Sequence, residues 1–398
     1  MSTFFIDPCD LLVVRDGRPK ADASMGQSLA FPFPQTVAGG VRTRVGSTPE
    51  RGFVAGDQLD ALKQVAIRGP VLASPEDGAL YFPAPRDALL VRPPPAMGAT
   101  GGAADTRLRR LVPLEADREA LGDFEPGLLP VGLSRAEHEA AKPTGPGAWW
   151  SWPLMEAWLR GDPDLQTTPA WTHGRRPPLL TEGRLHVRLD PQGTAVDGAL
   201  FETRGLRLRL PAGKDHTSLD TAAFALWVEV DDATLPKGMA LRDEVAPLGG
   251  ERKLMHWSKA ARATLPAIPA WLHSHVTRGE MCDVRVVLAT PAHFTAGARP
   301  DAAGTLLHSD AALTVQLRAM AVGRPEGYSG WDFAFPEGGR PKASERLVSA
   351  GSVFWLRLQG SAAAREGWLK RVWMQNVSDD PAHRRDGLGL ALIGKGSV

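Results

Sequence analysis

Ten histidines and a glycine-rich C-terminal run are the features of this 398-residue chain best suited to chemistry. Histidine titrates near neutrality, so it can serve as a general base or hold a metal. His273 and His275 are two apart and on a strand would share a face, but no carboxylate or cysteine stands at ligand spacing beside them. His173, His186, His216, His256 and His293 are each isolated. The chain has no H-E-x-x-H, Cys-x-x-Cys or G-x-S-x-G motif. Cys9 and Cys282 lie far apart and make no metal spacing. The histidines are therefore read as structural or surface groups, and no catalytic residue, metal or cofactor is expected.

The run Asp386-Gly387-Leu388-Gly389-Leu390-Ala391-Leu392-Ile393-Gly394-Lys395 resembles two nucleotide motifs and satisfies neither. As G-x-G-x-x-G it has Leu392 at the third glycine position. As G-x-x-x-x-G-K it has Gly396 where a Ser or Thr must hold magnesium. Only Gly396, Ser397 and Val398 follow, too few for the helix whose N-terminus both motifs use. Two readings remain: a glycine loop whose backbone an extended ligand approaches closely, or a buried strand bounded by glycines.

A second pair of readings concerns the segment from Thr36 to Val45. Val37, Val41 and Val45 recur every four residues, which predicts a helix with Gly46 as its terminator. Gly39 and Gly40 lie inside it, each costing about 1 kcal/mol relative to Ala. Tight packing or close approach of a ligand backbone would offset that cost. Arg42 and Arg44 lie on its polar side, as a solvated basic face or as a binding one. Trp149, Trp150, Trp152 and Trp158 cluster around another predicted helix and read as core or subunit interface.

The elements that would position these residues follow from periodicity. A strand is predicted over Thr3–Val14, and helices near Leu59–Arg68, Trp152–Arg160 and Ala362–Trp373. Ser134 and Glu137 form a capping box opening one more helix. Leu185, Val187 and Leu189 alternate with polar residues, as do Leu206, Leu208 and Leu210 with Arg207 and Arg209; Asp197-Gly198 supplies a hairpin turn signal between them. Strands follow at Phe224–Val230, Val284–Ala289 and Ser352–Leu358, with Pro236–Lys259 read as irregular. The expected class is α+β, in two domains covering 1–190 and 191–398, with a mobile insertion over 93–106.

Composition limits the function classes. The formal net charge is +1, so any nucleic-acid contact must come from a local patch. Of the 46 Lys and Arg residues 36 are Arg, a skew that suits phosphate and base recognition and that a GC-rich genome also produces. Met1–Val14 has no basic start and is broken by Asp7, Pro8 and Asp10, so it reads as strand and not as signal peptide. No stretch reaches the roughly 20 apolar residues of a membrane span, and a cytoplasmic protein without membrane contact is expected.

Taken together, the residues resemble the RAMP superfamily of CRISPR-associated proteins, and within it the family of third subunits of type III-B Cmr complexes. The resemblance rests on Asp10-Leu11-Leu12 with Arg15-Asp16-Gly17-Arg18-Pro19, on Phe33 to Thr43, and on Arg68-Gly69-Pro70 and Tyr81 to Asp87. It continues through Leu248-Gly249-Gly250-Glu251-Arg252, Ala289-Thr290-Pro291-Ala292, Gly330-Trp331-Asp332 and Ala350-Gly351-Ser352-Val353, to the glycine loop. It implies two ferredoxin-like (RRM-type) domains and a non-catalytic subunit that holds the repeat-derived 5′ tag of a guide RNA. The implied partners are the large polymerase-like subunit and the first backbone subunit of the same complex. On the matched positions the implied RNA-binding set is Arg15, Arg18, Gln35, Thr36, Gly39, Gly40, Arg42, Arg44, Gly249, Gly250, Arg252, Gly387, Gly389, Gly394 and Lys395. The family loop usually ends in an aromatic, where this chain has Lys395-Gly396. Two rivals are a metal-independent RAMP endoribonuclease that processes repeat RNA and a purely structural subunit without RNA contact.

Overall fold

The computed structural model describes residues 1–15, 28–48, 52–54, 58–92, 107–114, 127–133, 142–144, 147–162, 165, 174–211, 221–332 and 340–396. In chain order the principal elements begin with β1 (Ser2–Pro8), α1 (Pro34–Val45), β2 (Ile67–Ala73), β3 (Leu80–Pro83), β4 (Trp149–Ser151) and α2 (Trp152–Arg160). Next come β5 (Leu180–Leu189), β6 (Ala195–Arg207), β7 (Ala225–Val230), β8 (Glu244–Pro247) and β9 (Leu254–Lys259). The last are α3 (Ala270–Thr277), β10 (Met281–Leu288), β11 (Leu313–Ala321), β12 (Val353–Gly360), α4 (Ala362–Val372) and β13 (Ala391–Lys395). The class is α+β with antiparallel sheets.

The chain forms two compact units, each assembled from separated pieces. The first comprises Met1–Gly78, Pro178–Ala263 and Gly327–Arg346; the second comprises Ala79–Pro177, Thr264–Glu326 and Leu347–Val398. The expected division into 1–190 and 191–398 is a linear one, whereas these units interleave along the chain. Strands distant in sequence pair with one another, and a linear reading of turn signals carries no information about such pairing. The insertion over 93–106 and the capping-box helix at Ser134 lie outside the described residues.

In the first unit the strands run β2-β7-β1-β9-β8. β1 is central, with Phe5 opposite Trp227 on one side and Ser258 on the other. Phe4, Phe5 and Ile6 are accordingly all buried. α1 forms where the valine spacing predicts it and packs on β2. Pro34 pre-sets its first turn, Val37, Val41 and Val45 are buried, and Gly46 ends it. The stretch Pro236–Lys259, expected to be irregular, contains β8 and β9. Tertiary pairing with β1 makes strand of a segment whose own pattern is weak.

Out of this unit runs the ribbon β5–β6. Its turn is not at Asp197-Gly198, which lie inside β6, but at 190–194. There the Asp190 carboxylate accepts from the amides of Gln192 (3.0 Å) and Thr194 (2.8 Å), local bonds that define the reversal. Leu185, Val187 and Leu200 are exposed on the ribbon, whereas Leu206 and Leu208 at its base are buried.

In the second unit a four-stranded sheet runs β11-β12-β10-β13, with Val286 between Phe354 and Ile393. α4 opens on Ser361, whose hydroxyl accepts from Ala364 N, and buries Trp368, Leu369 and Val372. α3 packs on α4, and His273 and His275 lie on that helix, not on the strand expected for them. In a ferredoxin-like unit a helix would join the first two sheet strands. Here 289–312 holds none, and α3 enters ahead of the sheet instead.

Candidate nucleic-acid interface

An extended segment from Cys9 to Arg15 threads the first unit between the base of the ribbon and the turn over Leu248–Lys253. On one side Leu12 and Leu206 exchange backbone hydrogen bonds of 3.0 and 2.8 Å. On the other, Gly250 N donates to Val13 O at 2.7 Å. Gly249 has φ 76°, and a Cβ there would sit 2.5 Å from Val13 O, so only glycine lets the two backbones meet. Glu251 and Arg252 follow at φ 57° and 48°, a left-handed pair that costs about 1–3 kcal/mol per residue. Arg15 holds this turn by donating to Glu251 Oε1 at 2.6 Å. Arg252 is exposed and has no ion pair among the described residues.

Beside this segment lies a cleft of about 420 Å³ whose walls include Cys9, Asp10, Glu182, Arg184, Arg207 and Arg209. Arg184 reaches Asp10 and Glu182, both at 2.8 Å. Arg207 stands 3.7 Å from Glu182, and Arg209 stands 3.7 Å from Asp7. Lys253 contacts Asp10 at 3.3 Å. Arginine forks, an open cleft and exposed backbone are the groups that bind a phosphodiester strand.

The structure brings together part of the expected RNA-binding set. Arg15, Gly249, Gly250 and Arg252 form one site. Gly40 adjoins it, because its missing side chain leaves room for Leu248 and Trp257; a Cβ there would lie 2.5 Å from Leu248 Cδ1. Gly39 is exposed with nothing within 4 Å of its Cβ position. Thr36 is half-buried in the first turn. Gln35 is buried, and neither atom of its amide has a hydrogen-bond partner among the described residues. Arg18 lies outside the described residues.

Two of these segments make contacts that the sequence does not show. The basic face of α1 is not simply solvated: Arg42 donates to Val65 O at 2.9 and 3.3 Å, and Arg44 Nε to Glu244 Oε1 at 2.9 Å. These partners come from other parts of the unit, out of reach of helical periodicity. The glycine loop belongs to the second unit, and Gly387, Gly389 and Gly394 are all buried. A Cβ on Gly389 would lie 2.8 Å from Ser378 N, and one on Gly394 would lie 2.8 Å from Leu159 O. The chain's own backbone lies opposite both Cβ positions, so packing alone already requires glycine there. Lys395 lies 5.9 Å from the Trp271 ring in a cation–π contact. Conversely, Arg184, Arg207 and Arg209 lie outside the expected set and carry no site motif in the sequence. The signal was the alternation of Arg207 and Arg209 with Leu206 and Leu208, which marks one face of a strand as cationic.

Gly39 separates a helix role from a ligand role. With open space at its Cβ position, Gly39→Ala is expected to stabilise the unit by up to about 1 kcal/mol. Chemical denaturation of the full chain measures this; a loss of stability would show that Gly39 is packed against something outside the described residues.

Among the described residues no three His, Cys, Asp or Glu are grouped to hold a metal, and no helix is long and apolar enough to cross a membrane. His275 Nε2 is 2.8 Å from Asp283 O, and His293 lies against His383 with ring centroids 4.3 Å apart and planes tilted by 40°.

Comparison with known proteins gives one family. The model of the CRISPR-associated protein family Cas_Cmr3 matches residues 4–396. No curated protein matches. Among solved structures, a chain of the type III-B Cmr-beta complex bound to cognate target RNA is similar at 13% identity. The match covers 89% of this chain and 86% of that one, with a TM-score of 0.43. A chain of the Csm3–Csm4 subcomplex of a type III-A CRISPR-Cas interference complex is similar at 7% identity, covering 91% and 94%, with a TM-score of 0.33. Both likenesses are too distant to transfer a residue role.

Proposed function

The chain belongs to the CRISPR-associated Cas_Cmr3 family, and from that premise we propose that it is a non-catalytic RNA-binding subunit of a type III-B RNA-guided interference complex. In this reading it binds and positions the 5′ repeat-derived tag of the guide RNA. It docks the large polymerase-like subunit and the first backbone subunit, and it works in the cytoplasm. The observation that carries the reading is the arginine-lined strip beside Cys9–Arg15. Arg15 and Arg252 stand at the turn over Gly249–Arg252, and Arg184, Arg207 and Arg209 line the cleft next to it. Single-stranded RNA is held by such contacts to its backbone and by splayed bases. A near-neutral chain with one local arginine cluster suits a subunit that meets protein over much of its surface and RNA at one place.

The test is binding of tag-bearing guide RNA to the full chain, alone and with the large subunit, across a salt series. The double variant Arg207→Ala/Arg209→Ala is expected to bind more weakly and to flatten the salt dependence by about 0.7 per lost phosphate contact. An unchanged slope and affinity would leave the cleft without RNA and favour the purely structural subunit. Cleavage of repeat RNA abolished by a single histidine substitution would favour the endoribonuclease.

A further inference from the structure

Each cleft arginine faces at least one carboxylate, and that near-balance has a function of its own if the cleft binds RNA as proposed above. We infer that Asp7, Asp10 and Glu182 are internal counter-ions. They occupy Arg184, Arg207 and Arg209 in the free protein and must be exchanged for phosphates when RNA enters. The cleft then discriminates against any polyanion that other contacts have not already positioned.

Three observations carry this. First, Arg184, Arg207, Arg209 and Lys253 face Asp7, Asp10 and Glu182, so all but one of these positive charges is offset and the cleft presents little net field to capture a passing polyanion; the driving force of non-specific RNA binding, release of counterions by uncompensated cations, is weakened. Second, the pairs are graded in strength. Arg184 is held at 2.8 Å by two carboxylates, whereas Arg207 and Arg209 stand 3.7 Å from theirs, beyond hydrogen-bond reach, with about half of each side chain exposed. Loose, solvated pairs exchange partners at little cost. Third, the carboxylates differ in how well they are held. Burial pushes the Asp7 carboxyl above its ordinary value, and Arg209 and His256 offset this only in part. Its Oδ1 is buried without a hydrogen-bond partner among the described residues. Burial also acts on Asp10, but the Lys253 hydrogen bond, the Leu11 amide and Arg184 outweigh it and hold that carboxyl below its usual range. Asp10 is thus the anchor of the network, while Glu182 and Asp7 stand against the two loosely paired arginines.

The experiment uses the full chain and two labelled probes: an oligouridylate with no repeat sequence, and guide RNA carrying the 5′ tag. Glu182→Gln removes a counter-ion on the ribbon. Asp7→Asn removes another on β1 and repeats the test should the first variant lower the melting temperature. Each amide variant is expected to bind oligouridylate more tightly at low salt, with a slope steeper by about 0.7. That is an additional loss of about 2.6-fold between 50 and 200 mM salt. Affinity for tag-bearing RNA is expected to change less, so selectivity for the tag falls about threefold per variant. Unchanged oligouridylate affinity and slope in both folded variants would overturn the counter-ion role and make these pairs structural. Arg207→Ala/Arg209→Ala, run alongside, tells the two failures apart. If it weakens tag binding while the amide variants change nothing, the cleft reading stands and the counter-ion role falls. If it too changes nothing, both fall.

Discussion

Arg285→Ala is expected to destabilise the second unit by about 3–5 kcal/mol, because it leaves a buried carboxylate without its cation. Arg285 and Asp87 are both fully buried and meet at 2.6 Å. Asp87 also accepts from Trp158 Nε1 at 2.9 Å, and Arg285 donates to the Trp158 carbonyl. Arg110 donates to that same carbonyl and stacks 4.2 Å over the indole. The network ties α2 to β10, the strand at the middle of the sheet. Burial pushes the Arg285 guanidinium down and Asp87 opposes the shift. What is costly is therefore removing one charge, not the pair as such. Chemical denaturation of Arg285→Ala, Asp87→Asn and the double variant Arg285→Met/Asp87→Leu checks this. The double variant is expected to recover much of the loss, since no unpaired charge remains. A loss of under about 1 kcal/mol in Arg285→Ala would mean that water reaches Asp87.

The second large effect is Gly389→Val, expected to cost about 2–5 kcal/mol from a left-handed backbone and overpacking together. Gly389 has φ 88°, and its Cβ position is 2.8 Å from Ser378 N and 3.1 Å from Val377 N. These are backbone atoms fixed by the Gly389 O–Val377 N bond of 2.9 Å. The Thr290 hydroxyl closes the knot by donating to Gly387 O and accepting from Gly389 N and Leu390 N. A drop in melting temperature that grows from Gly389→Ala to Gly389→Val is the expected result. A variant with the wild-type melting temperature that no longer retained guide RNA would instead make the loop an RNA site.

The knot shows why the two readings of the C-terminal glycines could not be separated from their spacing. A glycine needed for a phosphate and a glycine needed for a neighbouring strand satisfy the same rule: no Cβ and positive φ. What decides between them is the atom lying opposite. For Gly389 that atom is Ser378 N, and for Gly249 it is Val13 O, 236 residues upstream. The arginines of α1 make the same point for charge. Arg44 is paired with Glu244 across 200 residues, so its commitment to the fold leaves no trace in the helix pattern.

What the amino-acid sequence determined by itself is local and apolar. Valines four apart made α1, with Pro34 and Gly46 at its ends. Largely apolar runs made β7, β10 and β12, and Ser361 followed by a good helix-forming stretch made α4. These elements form because their signals act over three to eight residues, through side-chain periodicity and backbone capping. Only the tertiary structure decided the interleaving of the two units, the strands within Pro236–Lys259, the turn held by Asp190, and which arginines remain for a ligand. Each of these depends on the free energy of groups brought together by chain reversal. Arg207 and Arg209 are left loosely paired at a cleft mouth, whereas Arg42, Arg44 and Arg285 are absorbed by partners that only the folded chain supplies.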